Sequence, residues 1–203
     1  MVKVQKDEST EEKILAAARK IFMTRGMAGA RMQEIADEAG INKALVHYYF
    51  RSKEQLFETI FERLTQGFWA QVTTVFDSDE PLFDKIRNFC GLYIDKVIQN
   101  PYIPLFVLYE LNQRPDALTK VFRDNPPNPT KLMHQIEAEV KAGNIRPIAP
   151  PQLFMNMLSL CVLPFIGKPM FMAVMNIDDK AFLNLMQQRK TEVPEFIINS
   201  IKK

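Results

Sequence analysis

Apolar residues in this chain recur three and four positions apart and almost nowhere alternate every second position. That spacing gathers them on one face of an α-helix, whereas a half-buried strand needs alternation. It predicts an all-α fold, and seven glycines in 203 residues fit that. Ile14, Leu15, Ala18, Ile21 and Phe22 define a first helix, opened by the capping box Ser9-Thr10-Glu11-Glu12 and ended at Gly26. Residues 31–39 form a second helix closed by Gly40, and Asn42 caps a short third one. A second capping box, Ser52-Lys53-Glu54-Gln55, opens a long helix through Phe57, Phe61, Leu64 and Phe68. Pro81 starts another, which Asn100-Pro101 stops. Further helices are expected over 103–112 and 131–142, with a short one from Pro115 and a loop at 126–129. From Pro151 the chain is strongly apolar, with breaks or kinks expected at Pro164, Pro169 and Pro194.

Charge adds a division. Residues 1–53 carry ten Lys/Arg and seven Asp/Glu, and the rest carries sixteen and seventeen. The basic surplus fits a polyanion-binding head over 1–53 on a neutral body over 54–203. The N-terminus has no apolar signal core, and no run of about 18 apolar residues occurs. The stretch 153–166 comes closest, interrupted by Asn156, Ser159 and Pro164. A cytoplasmic, nucleoid-associated protein without a membrane span is expected. Cys90 and Cys161 sit in apolar stripes without metal-ligand spacing, which reads as buried reduced thiols.

The run Val46-His47-Tyr48-Tyr49-Phe50 is too apolar for a loop and too polar for a buried helix. On a helix Val46 and Phe50 share one face, and Lys43 and His47 share another, flanked by Tyr48 and Tyr49. Only three residues, Gly40-Ile41-Asn42, separate this helix from the one before it. That is a helix-turn-helix layout, in which the second helix can enter a DNA major groove with its N-terminal residues on base edges. Lys43 can donate to guanine, the Ala44 methyl can meet a thymine methyl, and His47 can reach the next bases. The tyrosine hydroxyls and Lys53 suit phosphate oxygens.

Residues 10–57 resemble the DNA-binding head of the tetracycline-repressor (TetR/AcrR) family of bacterial transcription regulators. The resemblance rests on Ile35-Ala36-Asp37-Glu38-Ala39-Gly40-Ile41, on Lys43 to Tyr49 followed by Phe50, and on Ser52-Lys53-Glu54. Ile14, Ala17, Ala18, Phe22 and Gly26 match the family's first helix. It implies base-reading positions at Lys43, Ala44 and His47. It implies phosphate contacts at Tyr48, Tyr49 and Lys53 and near the start of the second helix, at Arg31 and Gln33. Two departures stand out. The hydroxyl residue usual at the start of the second helix is absent, with Arg31 there instead, and His47 replaces a common tyrosine. The resemblance further implies about nine or ten helices and a homodimer through 151–175 and 179–201. It also implies a small-molecule effector held in the body, whose binding releases a palindromic double-stranded DNA operator. In that scheme the two recognition helices sit about 34–36 Å apart, and the helix beginning at Lys53 carries the ligand signal.

The body is read less sharply. Phe61, Phe68, Phe89, Tyr93, Phe106, Tyr109 and Met133 are candidate walls of a lipophilic pocket, with ordinary core as the other reading of each. His134 reads as a surface or pocket-edge residue, because no Cys/His/carboxylate cluster accompanies it. Lys3 and Lys6 read as a tail or as a groove-reaching arm. Gly167-Lys168-Pro169 lacks the other glycine and the Ser/Thr of a phosphate loop. No catalytic pair, metal site or cofactor is expected. A helical carrier of lipophilic molecules, or a helical enzyme, remains as an alternative from another class.

Overall fold

Eleven α-helices and no strand are found among the described residues, 8–65, 67–101, 103–113 and 129–203, of the computed structural model. They are α1 (Glu8–Gly29), α2 (Met32–Ala39), α3 (Lys43–Tyr49), α4 (Lys53–Thr65), α5 (Phe68–Asp77) and α6 (Leu82–Gln99). Then follow α7 (Ile103–Gln113), α8 (Thr130–Lys141), α9 (Pro150–Ile166), α10 (Lys168–Met175) and α11 (Asp179–Ile201). The short helix expected from Pro115 and most of the loop at 126–129 lie outside the described residues.

The chain divides into two compact units, Met1–Gln66 and Gly67–Lys203. In the first, α2 and α4 pack on α1, and α3 packs on α2. Ile14, Ala18, Phe22, Ile35, Val46, Leu56 and Phe57 are buried together, with Phe22 edge-on to Phe57 at 5.6 Å between ring centroids. Each such side chain removed from water stabilises by roughly 1.5–3 kcal/mol. The boundary read at 53/54 therefore moves. Helix α4 belongs with the head because it packs on α1, where its Phe57 meets Phe22.

Three other expectations are corrected. Ser9 does not cap α1, which already runs from Glu8; Glu11 and Glu12 instead pair with Arg63 of α4, Glu11 at 2.9 Å. The long helix from residue 53 through Phe68 is two helices, because Gly67 takes a left-handed backbone (φ 76) that interrupts it. Conversely, Pro164 and Pro194 do not break their helices. A proline inside a helix costs about 3 kcal/mol, yet both are buried and α9 and α11 run through them. The break falls at Gly167, where α9 and α10 meet at 70°, and Pro169 sits in the first turn of α10, where a missing N–H is harmless.

In the second unit α6 is central: α5, α8, α9 and α11 all pack on it, α11 most extensively. Its buried Ile86, Phe89, Cys90, Ile94 and Val97 meet Leu153, Met157 and Cys161 of α9 and Val193, Ile197 and Ile201 of α11 in one cluster. No single described helix is long and apolar enough to cross a membrane.

Candidate nucleic-acid interface

The turn between α2 and α3 is built by local chemistry. Gly40 adopts φ 67, which lets the Ile41 N–H reach the Ala36 carbonyl at 3.0 Å and closes α2. The Asn42 side chain then accepts the Leu45 N–H at 2.7 Å and opens α3, as the sequence led one to expect.

Helix α3 has two faces. Val46, Tyr49 and Phe50, at spacings of three and four, are buried. Lys43, Ala44, His47 and Tyr48 are exposed together on the other side. The two tyrosines, expected to flank the outer face alike, are separated. Tyr48 is 48% exposed and Tyr49 only 5%, because position 49 falls on the inner stripe. Their rings meet edge-on at 5.5 Å.

The start of α2 shows how the chain manages without a hydroxyl cap. Arg31 occupies the N-cap position in extended conformation and is exposed. Its backbone N–H donates to the Glu34 carboxylate at 3.2 Å, and Arg25 of α1 donates to the same carboxylate at 2.5 Å. Half a capping box thus replaces the missing side-chain oxygen. The Lys53 ammonium, at the first residue of α4, donates to the Ala30 carbonyl at 3.1 Å and is half-buried. Gln33, expected to meet phosphate, is exposed but gives its amide to Asp37 at 2.8 Å. Lys20 pairs with Glu38 at 2.6 Å. Such exposed pairs add little stability. They do pair two carboxylates of α2, Glu34 and Glu38, with cations of α1. Sequence reasoning missed Lys20 and Arg25, whose partners lie 18 and 9 positions away on another helix.

The residues read as pocket walls fall in different parts of the chain. Phe61 lies in the first unit and is buried. Phe68, Phe89 and Tyr93 do come together: Tyr93 lies 5.6 Å from Phe68 and 5.8 Å from Phe89, with Phe76 and Phe154 beside Phe89. Met133 is half-buried on α8. The side chains of Phe106 and Tyr109 lie outside the described residues. Burial pushes the Tyr93 hydroxyl pKa up, and a hydrogen bond with Cys90 plus burial pushes the Cys161 thiol up. Both cysteines are free and buried. Lys85 is 1% exposed and donates to the Phe76 carbonyl at the end of α5 at 2.8 Å; burial lowers its pKa.

The body also presents apolar side chains outward. Met155 and Leu163 of α9, Met170, Val174 and Met175 of α10, and Leu183 and Phe196 of α11 are exposed, Val174 by 80% and Phe196 by 65%. A groove of about 280 Å³ lies on this face, lined by Leu160, Arg189, Glu192, Val193 and Phe196. None of the residues read as pocket walls lines it. Among the described residues no three His, Cys, Asp or Glu side chains cluster as a metal site would require.

Residues 14–60 match the family described as bacterial regulatory proteins, tetR family. The chain is 29% identical over 114 residues to the HTH-type transcriptional repressor NicS of Pseudomonas putida, covering 55% of this chain and 53% of NicS. It is 28% identical over 141 residues to the HTH-type transcriptional regulator RutR of Escherichia coli K12, covering 69% of this chain and 66% of RutR. These alignments span about half to two thirds of the relatives' own length. A TetR-family transcriptional regulator from Haemophilus influenzae superposes with a TM-score of 0.62, at 21% identity over 96% of this chain and 99% of that one. At that identity the likeness is one of fold.

Proposed function

We propose that this chain, whose residues 14–60 match the tetR family of bacterial regulatory proteins, is a member of that family and a sequence-specific DNA-binding transcriptional regulator. The observation that carries this reading is the division of α3. Its buried stripe of Val46, Tyr49 and Phe50 holds the helix to the head, and its outer stripe offers Lys43, Ala44, His47 and Tyr48 together. Lys43 and His47 supply donors for base edges and Ala44 a close approach. Tyr48, Arg31 and Lys53 supply phosphate contacts, which position the helix and carry no sequence information themselves.

A single seven-residue helix touches few bases, so the working form is a homodimer on a palindromic site. The exposed apolar residues within 151–175 and 179–201 support that interface, since so many large apolar side chains left in water favour burial against a partner. The regulator acts as a repressor in the cytoplasm. It is released when a lipophilic small molecule binds the body with different affinity in the DNA-bound and free states. The aromatic cluster of Phe68, Phe89 and Tyr93 is the proposed wall of that effector site.

The test is a binding selection of the purified protein on random double-stranded DNA at near-physiological salt. An enriched palindrome with half-sites about 10–10.5 base pairs apart, or a near multiple, is the expected result. Weak, salt-sensitive binding without enrichment would sink it.

A further inference from the structure

Lys53 sits where helix electrostatics disfavours it. It is the first residue of α4, where the helix dipole places positive charge, and its ammonium reaches the start of α2, which is likewise positive. A lysine so placed does not stabilise its own helix. What it does is donate to the Ala30 carbonyl, 23 residues earlier in the chain, immediately before the α2 N-cap Arg31.

The neighbouring contacts give that bond its meaning. Arg31 is held from one side, its N–H accepted by Glu34, which Arg25 holds in turn. On the other side the Ala30–Arg31 peptide is held by Lys53 through the Ala30 carbonyl. At the far end of α4, Arg63 reaches Glu11 and Glu12 of α1. Helix α4 is thus tied to α1 at one end and to the start of α2 at the other. The far tie consists of exposed ion pairs, which are weak. The near tie is a half-buried, charge-assisted hydrogen bond, which is stronger.

We propose that Lys53 is a positioning residue, coupling α4 to the phosphate-facing turn at Arg31 through the Ala30 carbonyl. This inference rests on the DNA-binding reading and deepens it. An ammonium has three protons. One is used on Ala30, and the others remain for a phosphate. Lys53 therefore contributes one phosphate contact of its own and orders a second, that of Arg31. A displacement of α4 at its N-terminal end moves the Ala30 carbonyl with it, and Arg31 leaves its phosphate while α3 keeps its internal caps.

The experiment uses the full chain and a labelled duplex carrying the selected palindrome, titrated over a range of salt. Lys53→Met is expected to reduce the dependence of log affinity on log salt by about two contacts, where a simple phosphate ligand loses about one. Arg31→Ala is expected to weaken binding in the wild type and to add nothing in the Lys53→Met background. Amide hydrogen exchange of the DNA-free protein is expected to speed up several-fold at Arg31 and Met32 in Lys53→Met and to stay unchanged in α3. A loss of one contact, additive Arg31→Ala effects and unaltered exchange would overturn the proposal. If Lys53→Met does not fold, Lys53→Leu, which likewise removes the donor to the Ala30 carbonyl, is read the same way. If the wild type enriches no palindrome, the DNA-binding reading fails. The exchange result then still decides whether Lys53 orders the turn.

Discussion

The head and the body are built from the same kind of helix, yet they expose their chemistry differently. In the head, polar function and apolar packing alternate around one short helix. Val46, Tyr49 and Phe50 turn inward while Lys43, Ala44, His47 and Tyr48 turn outward. In the body, α7, α9 and α10 are apolar nearly all round, and the face of each that ends outside is chosen by packing. A binding surface made of polar side chains at helical spacing announces itself. One made of Phe, Tyr and Met resembles the core beside it.

Substitutions can break this contrast, the largest effect first. Phe89→Ala removes a ring stacked on Phe76 at 5.3 Å and buried in the centre of the body. It should cost about 3–5 kcal/mol in denaturant titration. A cost below about 1 kcal/mol would mean that the aromatic cluster is a loosely filled ligand site rather than packed core.

Lys85→Met should cost roughly 1–3 kcal/mol, because the Phe76 carbonyl loses its buried donor. It also carries a pH signature. Burial lowers the folded-state pKa of Lys85 below 10.5, so between the two values the unfolded chain binds more protons. Its penalty is complete below the folded pKa and is relieved as pH rises toward 10.5. Stability of the wild type relative to Lys85→Met should therefore climb with pH on the alkaline side. A flat difference would show that the ammonium is solvated.

In the head, His47→Ala should lower affinity for the best palindrome by about 1–3 kcal/mol and relax the sequence preference at one position, read by repeating the selection. Uniform weakening on all sequences would reassign His47 to phosphate. Asn42→Ala should cost about 0.5–2 kcal/mol of head stability by removing the cap on Leu45, with base preference retained in the folded fraction. Altered preference would mean that the cap also sets the angle of α3.

Much of the head was legible beforehand because its determinants are local. The Gly40 turn, the Asn42 cap and the apolar spacing lie within a few residues of one another. Tyr49 falls three positions after Val46, on the inner stripe, and so packs inward where Tyr48 does not. The Lys53 bond was illegible, since nothing in Ser52-Lys53-Glu54 names a carbonyl 23 residues back. The prolines misled in the body for the opposite reason. Their cost is local, and what outweighs it is the packing of whole helices on α6, with both prolines buried.

The sequence alone determined the all-helical fold, the helix-turn-helix and the stripe of α3 that faces out, because spacing and capping act over one or two turns. Only the tertiary structure decided that α4 belongs to the head, and that Gly67 and Gly167 and not Pro164 or Pro194 interrupt the helices. Those outcomes depend on which apolar faces meet across long stretches of chain. The free energy of burial, summed over many contacts, there overrides the preference of any single residue.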